Sequence, residues 1–220
     1  MSSSTGNKIP LDGLQFYVDG LNSKSITSGS STWKDLSGNG YDMTLTGSTF
    51  SIEGGGSVYT DGLSNSDNIK NTSIFTPVGS TSYTVCVWVK IIGSTDIRYF
   101  WHGGYGYLLY VNGGGFRFYV RTASGDVQPS FPRVINEWVH VVGTYDGSNA
   151  KIYKNSVLQS SIAQTGGVIS SGLDNTLLLG NRESQANFGE NYVSKAMVYD
   201  RVLSDDEIST IYNAHKTQYN

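Results

Sequence analysis

Charge, proline and cysteine are all scarce in this sequence, and each scarcity closes off a class of protein. Asp, Glu, Lys and Arg make up 15% of the 220 residues and leave a formal net charge of −3. A nucleic-acid binder would carry a basic face to neutralise phosphates, so none is expected as a partner. Cys86 is the sole cysteine, which rules out an internal disulfide. No run approaches the ~20 apolar residues of a membrane-spanning helix, so no membrane insertion is expected. The polar opening Met1-Ser2-Ser3-Ser4-Thr5-Gly6-Asn7-Lys8 lacks the apolar core of a signal peptide. The expectation is a soluble protein that, if it acts outside a cell, leaves by a route such as lysis with a virus particle. There is no Gly-x-Ser-x-Gly nucleophile elbow and no phosphate-binding loop. His102 and His215 have no Cys or His at metal-ligand spacing. With four prolines and no charge-rich stretch, nothing reads as a linker. The chain is taken as a flexible arm over residues 1–11 and one domain over 12–220.

What the sequence does have is glycine and aromatic side chains: 27 Gly and 15 Tyr point to many short strands joined by turns. Residues 138–156 organise the rest. Trp138 to Tyr145 is rich in β-branched and aromatic residues, and Asp146-Gly147 supplies a turn. Ala150 to Tyr153 resumes the extended pattern before a second turn at Lys154-Asn155-Ser156. Trp138 is assigned to the core. Residues 82–92 alternate Val85, Val87, Val89 and Ile91 against Cys86, Trp88 and Lys90. Both faces are apolar until Lys90, so this is a central strand covered on both sides, the outer cover being a loop or a partner. Cys86 there reads as a buried, inert small hydrophobe. The convincing helix follows Ser204, an N-cap with Glu207 completing a capping box and an acidic first turn. Ile208, Ile211, Tyr212 and His215 share its docking face.

The pattern Trp138-x-His140-Val141-x-x-Thr144-Tyr145-Asp146-Gly147, followed by Lys151-Ile152-Tyr153-Lys154-Asn155, resembles the laminin-G-like, concanavalin A-like lectin/glucanase jelly rolls. Tyr192 to Ile208, with Tyr199-Asp200-Arg201-Val202-Leu203-Ser204, resembles that family's closing strand and Tyr-Asn-Arg-Ala-Leu-Ser-x-x-Glu-Ile ending. Tyr17-Val18-Asp19-Gly20 and Trp33-Lys34-Asp35-Leu36-Ser37-Gly38-Asn39-Gly40 resemble the opening of the variant found in bacteriophage structural proteins. The likeness runs over residues 12–214. It implies an all-β fold, an antiparallel jelly-roll sandwich with one short C-terminal helix. A secreted animal domain of this fold often carries a disulfide, so the lone cysteine favours assembly in a reducing cytoplasm.

The same resemblance frames the candidate sites. Asp61-Gly62-Leu63-Ser64-Asn65-Ser66-Asp67-Asn68-Ile69 matches a family segment that in relatives can sit beside calcium. Calcium takes ~6–8 oxygen ligands, and Asp61 and Asp67 are the carboxylates on offer; a solvated turn is the alternative, and no cofactor is required. Asp35 and Asn39 either offer oxygens to a cation or simply shape their loop. The most aromatic stretch, residues 99–121, reads as strands and a hairpin with rings packed across strands. The functional alternative exposes Trp101, Tyr105 and Tyr107 beside glycines as a platform for a sugar or a protein partner. Phe131, between Pro129 and Pro132 in an expected loop over 127–133, is an exposed-contact candidate, and the long loop 22–32 is another place to seek recognition. Glycoside hydrolases of this fold need two facing carboxylates, usually from a Glu-x-Asp-x-x-Glu strand that this chain lacks. The reading is therefore a non-catalytic structural or recognition module of a phage-like virion surface. Its expected partners are other virion proteins or cell-surface glycans, with homo-oligomers on the particle; a free carbohydrate-binding lectin and a glycosidase are the alternatives.

Overall fold

The computed structural model describes residues 9–62, 68–73, 79–92, 97–102, 107–112, 114–169, 176–180 and 189–219, with the side chains of 97–102, 107 and 108 outside that description. The first strands are β1 (Leu14–Asp19), β2 (Thr32–Trp33), β3 (Met43–Thr46), β4 (Thr49–Ser51), β5 (Ser57–Thr60) and β6 (Asn68–Asn71). The middle of the chain supplies β7 (Tyr83–Ile91), β8 (Ile97–His102), β9 (Tyr107–Asn112), β10 (Gly115–Thr122), β11 (Gly125–Val127) and β12 (Ser130–Pro132). It closes with β13 (Trp138–Tyr145), β14 (Asn149–Lys154), β15 (Val157–Ala163), β16 (Leu177–Leu179), β17 (Asn191–Tyr199) and the helix α1 (Asp205–His215). They form two antiparallel sheets. An eight-stranded sheet runs β15-β14-β13-β7-β17-β5-β4, with β1 also paired to β17, and a nine-stranded sheet runs β11-β10-β9-β8-β16-β6-β3-β2, with β12 on β10. The sandwich expected from the sequence is what forms.

The main core lies between the sheets. On β7 the period of two sends Val85, Val87, Val89 and Ile91 inward, and Val139, Val141 and Tyr145 do the same on β13. Phe118 from the second sheet reaches across to Gly143, where an added Cβ would lie 2.3 Å from the ring; glycine makes the notch that a phenylalanine fills.

Cys86, Trp88 and Lys90 face the other way. Cys86, Val142, Met197, Tyr199, Leu203, Ile208 and Ile211 form a second apolar cluster beneath α1, so the outer cover of the central strand is the chain's own C-terminal segment. Cys86 is 1% exposed, and burial pushes its thiol pKa up. The capping box is present: Glu207 N–H donates to Ser204 Oγ at 3.2 Å and Ser204 N–H to Glu207 Oε2 at 2.9 Å. Arg201 grips the same carboxylate with two bonds of 2.6 and 2.8 Å, the main reason its pKa falls to about 2, with the helix cap adding to it. Of the segment assigned as an arm, Ile9 packs against this cluster and Pro10 O accepts from Tyr199 Oη at 3.1 Å.

Two readings need correcting. Residues 127–133 are not an exposed loop, because β12 pairs with β10 at Phe116 opposite Phe131. On that edge strand the alternation turns Ser130 and Pro132 outward and Phe131 inward; it is 5% exposed and stacks on Phe116 at 5.0 Å. Phe131 is therefore a core residue. Trp138 is half-buried on the outer face, opposite Lys90, and does not enter the inter-sheet core. After the 138–156 hairpin, β15 adds an edge strand whose polar composition reflects solvent on both faces. Among the described residues no helix is long and apolar enough to cross a membrane.

Candidate binding cleft

The outer face of the eight-stranded sheet is covered by α1 for only part of its length. Under the cover, Trp88 stacks on Tyr219 at 4.2 Å, on His140 at 5.1 Å and on Tyr212 at 5.6 Å. Beside them a buried ion pair joins Lys195 Nζ to Asp19 Oδ1, with Tyr17 Oη donating to Asp19 Oδ2 at 2.7 Å. His140 and His215 are buried, and loss of solvent drives their pKa values down to about 3 and about 4. These groups are enclosed and hold the cover in place.

Tyr219 touches both Trp88 and Trp138, and on its Trp138 side the next row of side chains is half-buried. Register sets it: Trp138 on β13 lies opposite Lys90 on β7, Lys90 opposite Tyr192 on β17, and Tyr192 opposite Tyr59 on β5. Partners in register share a face, so the four stand in one line across four strands, and all are half-buried. Their rings touch in sequence. Tyr219 and Trp138 are 4.8 Å apart, Trp138 and Tyr192 6.4 Å, and Tyr192 and Tyr59 4.8 Å, each pair tilted.

A cavity of about 580 Å³ opens beside Trp138, walled by Glu53, Lys90, Glu137, Asn155, Gln218 and Tyr219 among others. A tight turn over Glu53–Gly55 forms one lip. An added Cβ at Gly54 would lie 2.6 Å from the Trp138 indole, and its φ is 63°, so glycine is what lets the turn rest on the ring. The turn is anchored through Gly56, whose carbonyl accepts from Ser194 Oγ at 2.6 Å, the bulged residue of β17. Lys90 Nζ lies 2.8 Å from Glu53 Oε1 and holds that carboxyl below its usual range. The opposite lip is Asn155, at φ 50°, whose Oδ1 accepts from His140 N–H at 2.9 Å. At the far end of the row Tyr59 Oη donates to Glu190 at 2.8 Å, and burial, helped by that carboxylate, pushes the Tyr59 phenol up to about 12. The arrangement offers aromatic surface edged by carboxylates, an amine and amides, suited to a ligand with both apolar faces and hydroxyl groups.

Trp101 sits within β8, its main chain between Leu108 of β9 and Leu178 of β16, and Tyr107 opens β9 opposite Val120. The side chains of Trp101 and Tyr107, and all of Tyr105, lie outside the described residues, as does Asp67; Asp61 is half-buried just beyond β5. Among the described residues no three His, Cys, Asp or Glu side chains gather as a metal site would need. Asp35 spends its oxygens on Tyr17 N–H, Ser37 N–H, Ser37 Oγ and Tyr41 N–H, at 2.7–3.1 Å, and is an organiser of its loop. The loop at 22–32 encloses a hollow of about 420 Å³ lined by serines, threonines, Lys24 and Lys34, with no aromatic ring in its wall. The residues that sequence reasoning missed, Tyr59 and Tyr192, carry no local signal; only the strand order aligns them with Trp138.

The family model of the concanavalin A-like lectin/glucanases superfamily matches residues 61–209. A comparison with curated proteins finds no match. Among solved structures, the binding domain of Paraclostridial mosquitocidal protein 1 is similar at a TM-score of 0.73 and 16% identity, over 93% of this chain and 52% of that one. The receptor-binding domain of botulinum neurotoxin type G gives 0.70 at 15% identity, over 91% and 51%. The binding domain of botulinum neurotoxin DC in complex with SialylT gives 0.70 at 13%, over 93% and 52%. At these identities the likeness is one of fold, and this chain spans about half the length of the structures it matches.

Proposed function

We infer that this chain, which belongs to the concanavalin A-like lectin/glucanases superfamily, is a non-catalytic binding module whose ligand is a carbohydrate held at the Trp138 cleft. The observation that carries this is the half-buried line of Trp138, Tyr192 and Tyr59 beside the cavity at Trp138. An aromatic face desolvates the C–H side of a sugar while neighbouring carboxylates and amides accept and donate to its hydroxyls. The similar solved structures support the reading, since they are binding domains and one is a complex with SialylT. Hydrolysis is disfavoured by the sequence, which lacks the Glu-x-Asp-x-x-Glu strand that usually supplies the two facing carboxylates in this fold.

For setting, we propose the surface of a phage-like particle, on the resemblance of Tyr17-Val18-Asp19-Gly20 and Trp33-Lys34-Asp35-Leu36-Ser37-Gly38-Asn39-Gly40 to the opening of the variant found in phage structural proteins. A glycan array probed with the labelled protein tests the ligand class. Saturable binding should appear and be lost in Trp138→Ala while cooperative unfolding persists. An array blank for the wild type, or equal binding by the variant, would remove the cleft from consideration. Co-purification with particles through repeated washing tests the setting.

A further inference from the structure

Resting on the carbohydrate reading, we propose that this site takes a linear, neutral oligosaccharide lying across the strands, and not a single terminal sugar or an acidic glycan. The length argument comes from register. Trp138, Lys90, Tyr192 and Tyr59 occupy successive strands in one row; three inter-strand spacings of about 4.8 Å put the outer main chains roughly 14 Å apart, and the rings lean together into steps of 6.4 Å from Trp138 to Tyr192 and 4.8 Å from Tyr192 to Tyr59. One sugar ring covers one aromatic side chain; occupying the line from Trp138 to Tyr59 takes a chain of rings.

The tilts support a chain. Successive rings are inclined by 53° and 36° along the row, so a rigid flat ligand cannot lie on all of them, whereas a glycan can turn at each linkage. The row is also accessible along its length, since each of its four members is half-buried, unlike Trp88 one pleat away at 3% exposure.

The charge argument comes from the groups that edge the row. Glu53 and Glu137 wall the cavity and Glu190 binds the Tyr59 hydroxyl. Against these three carboxylates stands Lys90, which Glu53 already engages at 2.8 Å. Carboxylates accept hydrogen bonds from sugar hydroxyls and repel carboxylated or sulfated ligands. The site therefore selects neutral chains.

The test is titration calorimetry with glucose, cellobiose and cellohexaose, with the matching N-acetylglucosamine series and with an oligogalacturonate. Affinity should rise by about tenfold or more from disaccharide to hexasaccharide in a neutral series. Tyr59→Ala should remove most of that gain, a loss of about tenfold in hexasaccharide affinity corresponding to ~1.4 kcal/mol. Oligogalacturonate should bind weakly or not at all. Monosaccharide and hexasaccharide binding alike, or Tyr59→Ala without effect on the hexasaccharide, overturns the chain proposal while leaving a carbohydrate site standing. Preference for the oligogalacturonate overturns neutrality. If no saccharide binds here and a broad array is also blank, the underlying carbohydrate reading fails with it.

Discussion

The two faces of the eight-stranded sheet are stabilised by different means. The inner face meets the second sheet through Val85, Val87, Val89, Val139 and Val141, aliphatic side chains that need only area and fit. The outer face carries Trp88, His140, Tyr153 and a buried Lys195–Asp19 pair, groups that need defined partners as well as cover. The C-terminal segment provides the cover and one partner, Asp205, which accepts from Tyr153 Oη at 2.9 Å, and Tyr219 stands between the enclosed groups and the half-buried Trp138 row. The inner face should thus tolerate no loss of volume, and the outer face no loss of a single polar partner.

Phe118→Ala breaks the inner side. The ring is fully buried and fills the notch at Gly143, so a loss of about 3–5 kcal/mol is expected from the urea midpoint. A shift below about 1 kcal/mol would mean that the inter-sheet core is not where stability resides. Lys195→Ala breaks the outer side by leaving the Asp19 carboxylate buried without its cation. Removing one partner of such a pair costs about 3 kcal/mol, while replacing both by apolar residues of similar volume is close to neutral. If Lys195→Met with Asp19→Leu is as unstable as Lys195→Ala, the pair holds the cover in place by more than mutual neutralisation.

Acid titration sharpens the contrast, because the inner face described here presents no titrating histidine. His140 and His215 stay neutral in the fold, with pKa values near 3 and 4 set first by burial, and both take up protons near 6.5 when unfolded. Their contribution is complete above about pH 6.5 and falls as pH drops from there towards 4, by roughly 1.4 kcal/mol per pH unit for each histidine. Glu207, held near 2, acts in a lower window, its contribution being lost from about pH 4.5 down to 2. Neither ring nitrogen of His140 makes a hydrogen bond among the described residues. His140→Phe should therefore keep or raise stability at pH 7 and roughly halve the slope between pH 6.5 and 5. An unchanged slope would place the titrating group elsewhere.

The inner face was legible in the sequence because alternation is local: the 138–156 hairpin, the central strand and the helix with its capping box all formed where their residues placed them. Edges were not legible. Phe131 is turned inward only because β12 finds β10, and β15 does not stand out as a strand because solvent reaches both its faces. The cleft was half legible: Trp138 stood out, but it was assigned to the core, since a strand pattern does not say which of its faces is inner. Tyr59 and Tyr192 join it through pairings of β5, β17 and β7, far apart in sequence.

Trp138 lies on the boundary between the two kinds of face, and of the three truncations to alanine its own should cost the least stability. A tryptophan in the inter-sheet core would cost about 3–5 kcal/mol on truncation. Here the indole is half-buried, resting on Gly54 and touching Tyr219 and Tyr192 across tilted contacts. Part of its area is wet before the mutation, and solvent can fill the space afterwards, so neither the full transfer cost nor a sealed cavity applies. Trp138→Ala should lower stability by about 1–2 kcal/mol in chemical denaturation, well under Phe118→Ala, while abolishing saccharide binding. A loss as large as that of Phe118→Ala would show that the Trp138 row belongs to the structural part of the outer face, and the boundary drawn at Tyr219 would have to move outward.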